Sequence, residues 1–260
     1  MNEQDFLEYG RDGYNRVPLV REALADLDTP LSVYLKLANR PFSYLFESVQ
    51  GGERFGRYSF IGLPAKTRLV VRGHHARIED DAGVHEQAEL NDPLEFVAEY
   101  QKRFKVAHVP GLPRFCGGLV GYFGYDTVRY IEKKLAAAPK PDPIDAPDIL
   151  LLLSEELAVV DNVLGKLYLI VYADPNEAGG YARAQQRLKE LERKLREPME
   201  VPNTPPMTPQ AAKSEFGEAG FKQAVEKAKR YIFDGDIMQV VLSQRMSQKF
   251  DAHPLSLYRA

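Results

Sequence analysis

The sequence is poor in four things: it has one cysteine, no tryptophan, no long apolar run and no strong excess of either charge. A lone Cys116 excludes an intramolecular disulfide framework and fits a reducing compartment. No apolar run approaches the roughly 20 residues that a membrane-spanning helix needs, and ILLLL at 149–153 is strand-sized. A net charge of −3 with a pI near 6.0 supplies no field for nucleic acid or an anionic membrane. The opening MNEQDFLEYGRDG is acidic and lacks the apolar core of a signal peptide. These absences lead to the expectation of a water-soluble, cytoplasmic protein.

Familiar reactive groupings are absent too. His74 and His75 are adjacent on a strand-like stretch, so their side chains point to opposite faces and cannot chelate one metal. Asp142, Asp145 and Asp148 alternate with prolines and follow no calcium-loop pattern, which leaves a solvated loop. Cys116 has no histidine in its own segment and reads as a small buried residue. GGLVGYFGYD (117–126) has no Lys-Ser/Thr after its glycines, so it is no phosphate loop. Its glycines instead let backbone approach a neighbouring sheet. No catalytic constellation emerges from these residues.

What is present is a globular composition, 44% hydrophobic and 27% charged, over 260 residues. The spacing predicts a helix over 17–27 (VPLVREALADL) and, from period-2 alternation, a strand in SVYLKLA (32–38). FSYLFES and RYSFIG read as two strands joined by a turn at Gly51-Gly52. TRLVVRG and HARIED follow as short strands. Asn91-Asp92-Pro93 then starts an amphipathic helix carrying Leu94, Val97, Tyr100 and Phe104. ILLLL, LAVVD and KLYLIVYA are strands, the last two joined by a hairpin at 162–165. Short strands with few intervening helices predict an α+β fold with antiparallel sheets and flanking helices. Tyr181, Ala184, Leu188, Leu191 and Leu195 mark a helix, after which five prolines between 198 and 209 make a linker. A further helix from Phe221 ends at Asp234-Gly235. IMQVVLSQRM (237–246) reads as a strand, and LYRA as the start of another helix.

One stretch remains, LFESVQGGERFGRYSFIG (45–62). With a turn near Gly52, Glu47 and Arg57 are expected to stand opposite each other. That pair is either an ordinary cross-strand ion pair or part of a receptor for a small zwitterion. In the second reading Glu47 and Ser48 receive an ammonium group and Arg57 grips a carboxylate. Phe46, Tyr58 and Phe60 then wall an apolar side chain.

Three stretches together resemble one family. PFSYLFESVQGGERFGRYSFIG, FCGGLVGYFGYDTVRYIE and AKRYIFDGDIMQVVLSQRM are similar, in order and spacing, to component I of anthranilate synthase. The sibling aminodeoxychorismate synthase shares the last motif, and a non-catalytic amino-acid-binding module is the alternative from another class. The resemblance implies a large subunit that converts chorismate and ammonia to anthranilate and pyruvate. The ammonia comes from glutamine through a separate amidotransferase subunit, Mg²⁺ is the cofactor, and L-tryptophan is the feedback inhibitor. It implies an N-terminal regulatory domain over 15–175, a helix and proline-rich linker over 176–215, and the start of a chorismate-binding domain over 216–260. Catalytic and magnesium-binding residues are expected beyond residue 260, leaving this chain inactive alone. Ser48 matches the effector-binding serine of the family, with Glu47 and Arg57 beside it.

Overall fold

The computed structural model describes residues 1–47, 56–136, 144–203 and 210–260. The chain divides into two compact units, Met1–Glu200 and Val201–Ala260.

The first unit runs α1 (Glu3–Arg11), β1 (Val17–Leu24), α2 (Pro30–Leu37), β2 (Tyr44–Phe46), β3 (Tyr58–Gly62), β4 (Arg68–Arg72), β5 (His75–Asp80) and β6 (Gly83–Glu89). It continues with α3 (Pro93–Lys102), β7 (Gly118–Phe123), α4 (Val128–Ile131), β8 (Ile149–Ser154), β9 (Glu156–Asp161), β10 (Lys166–Ala173) and α5 (Gly180–Leu195). The strands form two five-stranded antiparallel sheets, in the orders β1-β10-β9-β3-β2 and β6-β5-β4-β8-β7. Only Glu155 separates β8 from β9, so the chain passes from one sheet to the other at a single residue. The α+β expectation therefore holds.

The strands β9 and β10 are apolar nearly throughout because both faces of their sheet are covered. Ala158, Val160, Leu167 and Leu169 meet Phe6 of α1, Val33 of α2 and Leu188 and Leu191 of α5. On the other face Leu157, Val159 and Ile170 meet Phe60, Phe115 and Tyr172. The second sheet buries Leu69, Val71, Ile149 and Leu151 against Tyr100, Val97 and Phe104 of the α3 segment. Asp92 caps α3 through the Leu94 and Glu95 amides, with Pro93 in the first turn, as the sequence indicates.

Two elements near the N-terminus are the reverse of the expectation. Residues 17–24 form a strand, not a helix. All eight residues of β1 pair with β10, and Pro18 is tolerated because β1 lies at a sheet edge. SVYLKLA lies in a helix, not a strand. Thr29 and Ser32 form a capping box, Pro30 occupies the first turn, and Val33 and Leu37 share the buried face. The terminal α1, with its own Asn2/Asp5 capping box and buried Phe6, was not among the expected elements, although the capping pattern is present in the sequence.

The second unit holds β11 (Lys213–Ser214), α6 (Glu218–Phe233), β12 (Met246–Ser247) and α7 (Pro254–Arg259). Gly235, at φ +80°, follows the end of α6 as expected. The strand expected over 237–246 is corrected: among the described residues only Met246 and Ser247 pair, with Ser214 and Lys213. An alternating pattern makes a strand only where another strand supplies the ladder.

Candidate functional site

The β2–β3 pair sits at the end of the first sheet, and its register is Tyr44↔Gly62, Leu45↔Ile61, Phe46↔Phe60. The ladder ends at Phe46↔Phe60, so the expected cross-strand pairing of Glu47 with Arg57 is not part of it. Arg57 turns instead to β9. Its Nε and Nη2 donate to Oδ2 of Asp161 at 3.0 and 2.7 Å, and its guanidinium lies 4.9 Å from the centre of the Tyr58 ring.

Asp161 has no exposed surface, yet it is well satisfied. Besides Arg57 it accepts from the backbone amides of Val163 and Leu164 in the β9–β10 hairpin. Burial alone would raise its carboxyl, but these donors outweigh burial and hold it below the usual value. Asn162 completes the clamp: its amide donates to the Arg57 carbonyl at 2.7 Å, and its side chain reaches Ser59 Oγ at 3.2 Å. The hairpin tip thereby fixes the start of β3.

Beside that clamp lies an open hollow of about 520 Å³. Phe46, Glu47, Tyr58 and Phe60 line it from the first sheet. Phe115, Leu119, Val120 and Gly121 line it from the second sheet and the turn leading into it. Phe60 and Phe115 meet edge to face at 5.1 Å and 84°, which ties the two walls. The volume falls within the range of small-molecule sites. Aromatic walls with a carboxylate among them can take a flat apolar group that carries an ammonium.

The structure thus brings together four of the residues singled out in the sequence, Phe46, Glu47, Tyr58 and Phe60. Arg57 is not among the lining residues and stands beside Tyr58. Ser48 and the Gly51-Gly52 turn lie outside the described residues. Phe115, Leu119, Val120 and Asp161 were not recognised from the sequence. The glycine-rich reading of 117–126 held part of the signal: a Cβ at Gly121 would collide with the Leu150 carbonyl oxygen, so backbone packs on backbone there. Which site that strand would serve could not be read from its own residues.

The sheets, the hollow and the motifs around it define a class. Residues 43–260 match the family described as chorismate binding enzyme, and the chain belongs to that family. Across its whole length the chain is 53% identical, over 263 residues, to anthranilate synthase component 1 of Neisseria meningitidis serogroup B, of which it covers 53%. It is likewise 53% identical over 266 residues to the Pseudomonas aeruginosa protein of that name, covering 54% of it. The solved structure of anthranilate synthase component I from Streptococcus pneumoniae TIGR4 superposes with a TM-score of 0.63 at 26% identity. That match covers 91% of this chain and 51% of the other. The chain spans about half the length of the relatives it matches.

Proposed function

We propose that this chain is the effector-sensing part of an anthranilate synthase large subunit. In that reading the complete enzyme joins ammonia, delivered by a glutamine amidotransferase subunit, to chorismate and then eliminates pyruvate to leave anthranilate. L-tryptophan, the end product of the pathway that anthranilate feeds, binds the aromatic hollow and inhibits. The observation that carries the reading is the meeting of Phe46, Glu47, Tyr58 and Phe60 in one hollow, within a chain of this family.

The chemistry of the hollow suits that ligand. The rings of Phe46, Tyr58, Phe60 and Phe115 supply apolar aromatic surface for an indole. Glu47 and Ser48 receive the ammonium, and Arg57, already oriented by Asp161, offers its remaining guanidinium edge to the carboxylate. Magnesium, when bound to the complete enzyme, neutralises the substrate carboxylate. Among the described residues no group of three or more His, Cys, Asp or Glu is placed to hold a metal ion, so no metal step is assigned to them. No helix among them is long and apolar enough to cross a membrane.

Inhibition is then linkage. Tryptophan shifts the protein between two states by no more than the difference in its affinity for them. The test is to follow anthranilate formation by the complete gene product while tryptophan is titrated. Ser48→Ala is expected to weaken inhibition by about tenfold or more. Inhibition that survives this change intact removes the site assignment, and formation of aminodeoxychorismate instead of anthranilate moves the protein to the sibling enzyme.

A further inference from the structure

The hollow has walls from two different sheets, and a buried hydrogen bond connects them from behind. Tyr44 of β2 and Ser154 of β8 are 9% and 3% exposed, and their hydroxyl oxygens are 2.7 Å apart. The Tyr44 ring lies over Gly62, its partner in the β2–β3 register, where any Cβ would strike the ring. Glycine at 62 is what allows the ring to lie there. Burial also raises the Tyr44 hydroxyl to about 12, so it remains neutral at physiological pH.

Each end of this bond leads directly to one wall. The Tyr44 ring packs on Phe46, with centroids 4.9 Å apart, and Phe46 lines the hollow. Ser154 pairs with Gly118 in the β7–β8 ladder, one residue before Leu119 and two before Val120 on the opposite wall. Tyr44, Val120 and Leu152 also share one small apolar cluster with Phe60 and Phe115. Apolar contacts are non-directional and tolerate sliding, whereas a hydroxyl–hydroxyl bond weakens steeply with distance and angle. A further contact, the Tyr172 hydroxyl with Cys116 at 3.2 Å, uses a thiol, which is a weak partner.

We infer that Tyr44 and Ser154 are positioning residues whose hydrogen bond sets the separation of the two walls, and so selects which aromatic side chain the hollow accepts. This rests on the reading of the hollow as an aromatic amino-acid receptor. Neither residue touches the ligand in this picture. They hold the Phe46 wall in register with the Val120 wall, and the preference for an indole over a single phenyl ring is the property that this spacing would set.

The test uses the complete gene product, with calorimetric titration of L-tryptophan and L-phenylalanine and amide hydrogen exchange without ligand. Tyr44→Phe keeps the ring, removes the hydroxyl and leaves Ser154 buried without its partner. It is expected to weaken tryptophan binding about five- to tenfold. It should also reduce the preference for tryptophan over phenylalanine, and speed exchange at both Tyr44–Phe46 and Gly118–Phe123. The double variant Tyr44→Phe/Ser154→Ala removes both hydroxyls, so thermal stability recovers relative to the single variant while the lost preference does not. A purely structural role predicts that preference returns with stability, and that result overturns the inference. Wild-type affinities and exchange rates in Tyr44→Phe overturn it as well. If the wild-type protein binds neither amino acid, the receptor reading fails. Exchange at the two walls still decides whether this bond couples them.

Discussion

Two helices of equal length behave differently in this chain. α5 and α6 each span 16 residues and each carries an apolar stripe at helical spacing. α5 buries Ala184, Leu188, Leu191 and Leu195 against the first sheet, whereas α6 buries none of its residues. The contrast extends to the units that contain them. Met1–Glu200 has continuous cores, while Ala252 is the one buried residue among the described part of Val201–Ala260. There, Phe233, Met238 and Val241 are 90%, 96% and 87% exposed. Periodicity specifies a face that can be buried, and burial needs a second surface at the right distance.

The sharpest way to break this comparison is a matched pair of truncations. Leu188→Ala is expected to cost about 2–5 kcal/mol, because it leaves a cavity under a fully buried side chain. In the same 260-residue chain, Ile232→Ala, at the apolar face of α6 and 45% exposed, is expected to stay within about 0.5 kcal/mol. Equal losses in denaturant titrations would show that the α6 stripe is covered after all.

A second experiment sharpens the account of the hairpin clamp. Asp161→Asn is expected to destabilise the protein by about 1–3 kcal/mol at pH 7, since a buried acceptor of three partners loses its charge. Its native carboxyl is held below the usual value, so its stabilisation is complete above that value. It is lost as pH falls through the lower, folded-state value. Stability curves of wild type and Asp161→Asn should therefore converge in acid; parallel curves down to the acid transition would contradict the clamp.

Gly121→Ala probes the closest backbone approach in the second sheet. The new methyl strikes the Leu150 carbonyl, which β8 can relieve only by moving, at about 1–3 kcal/mol. Because β8 carries Ser154, the tryptophan affinity proposed for the hollow should fall along with the thermal midpoint. A stable Gly121→Ala protein with unchanged affinity would mean that the β7 wall has slack. The smallest effect is expected at the exposed Glu218–Lys222 pair of α6, where Glu218→Gln should move stability by under about 0.5 kcal/mol.

Much of the fold was legible where local chemistry and tertiary context agree. The hairpin at 162–165 was readable because Gly165, at φ +61°, supplies a backbone state that other residues resist. α3 was readable from Asp92-Pro93. The exchange of helix for strand at 17–24 and of strand for helix at 30–37 shows the limit. Both stretches carry mixed periodicities, and the eight-residue ladder to β10 decided the first. For the second, the Thr29-Pro30 start signal was present in the sequence and was outweighed by five residues of alternation. At the site, the aromatic residues around Glu47 were visible as a cluster. The charge pairing was not, since Asp161 lies more than a hundred positions from Arg57 and only the β3–β9 ladder brings them together.

By itself the sequence determined the α+β class, the family, the strands β3–β5 and β8–β10 and the aromatic cluster around Glu47, because these depend on neighbours along the chain. The opposite wall, the partner of Arg57 and the bond between Tyr44 and Ser154 were decided by tertiary structure alone. Each depends on how two sheets, joined through the single residue Glu155, come to face each other, and no local pattern encodes that distance.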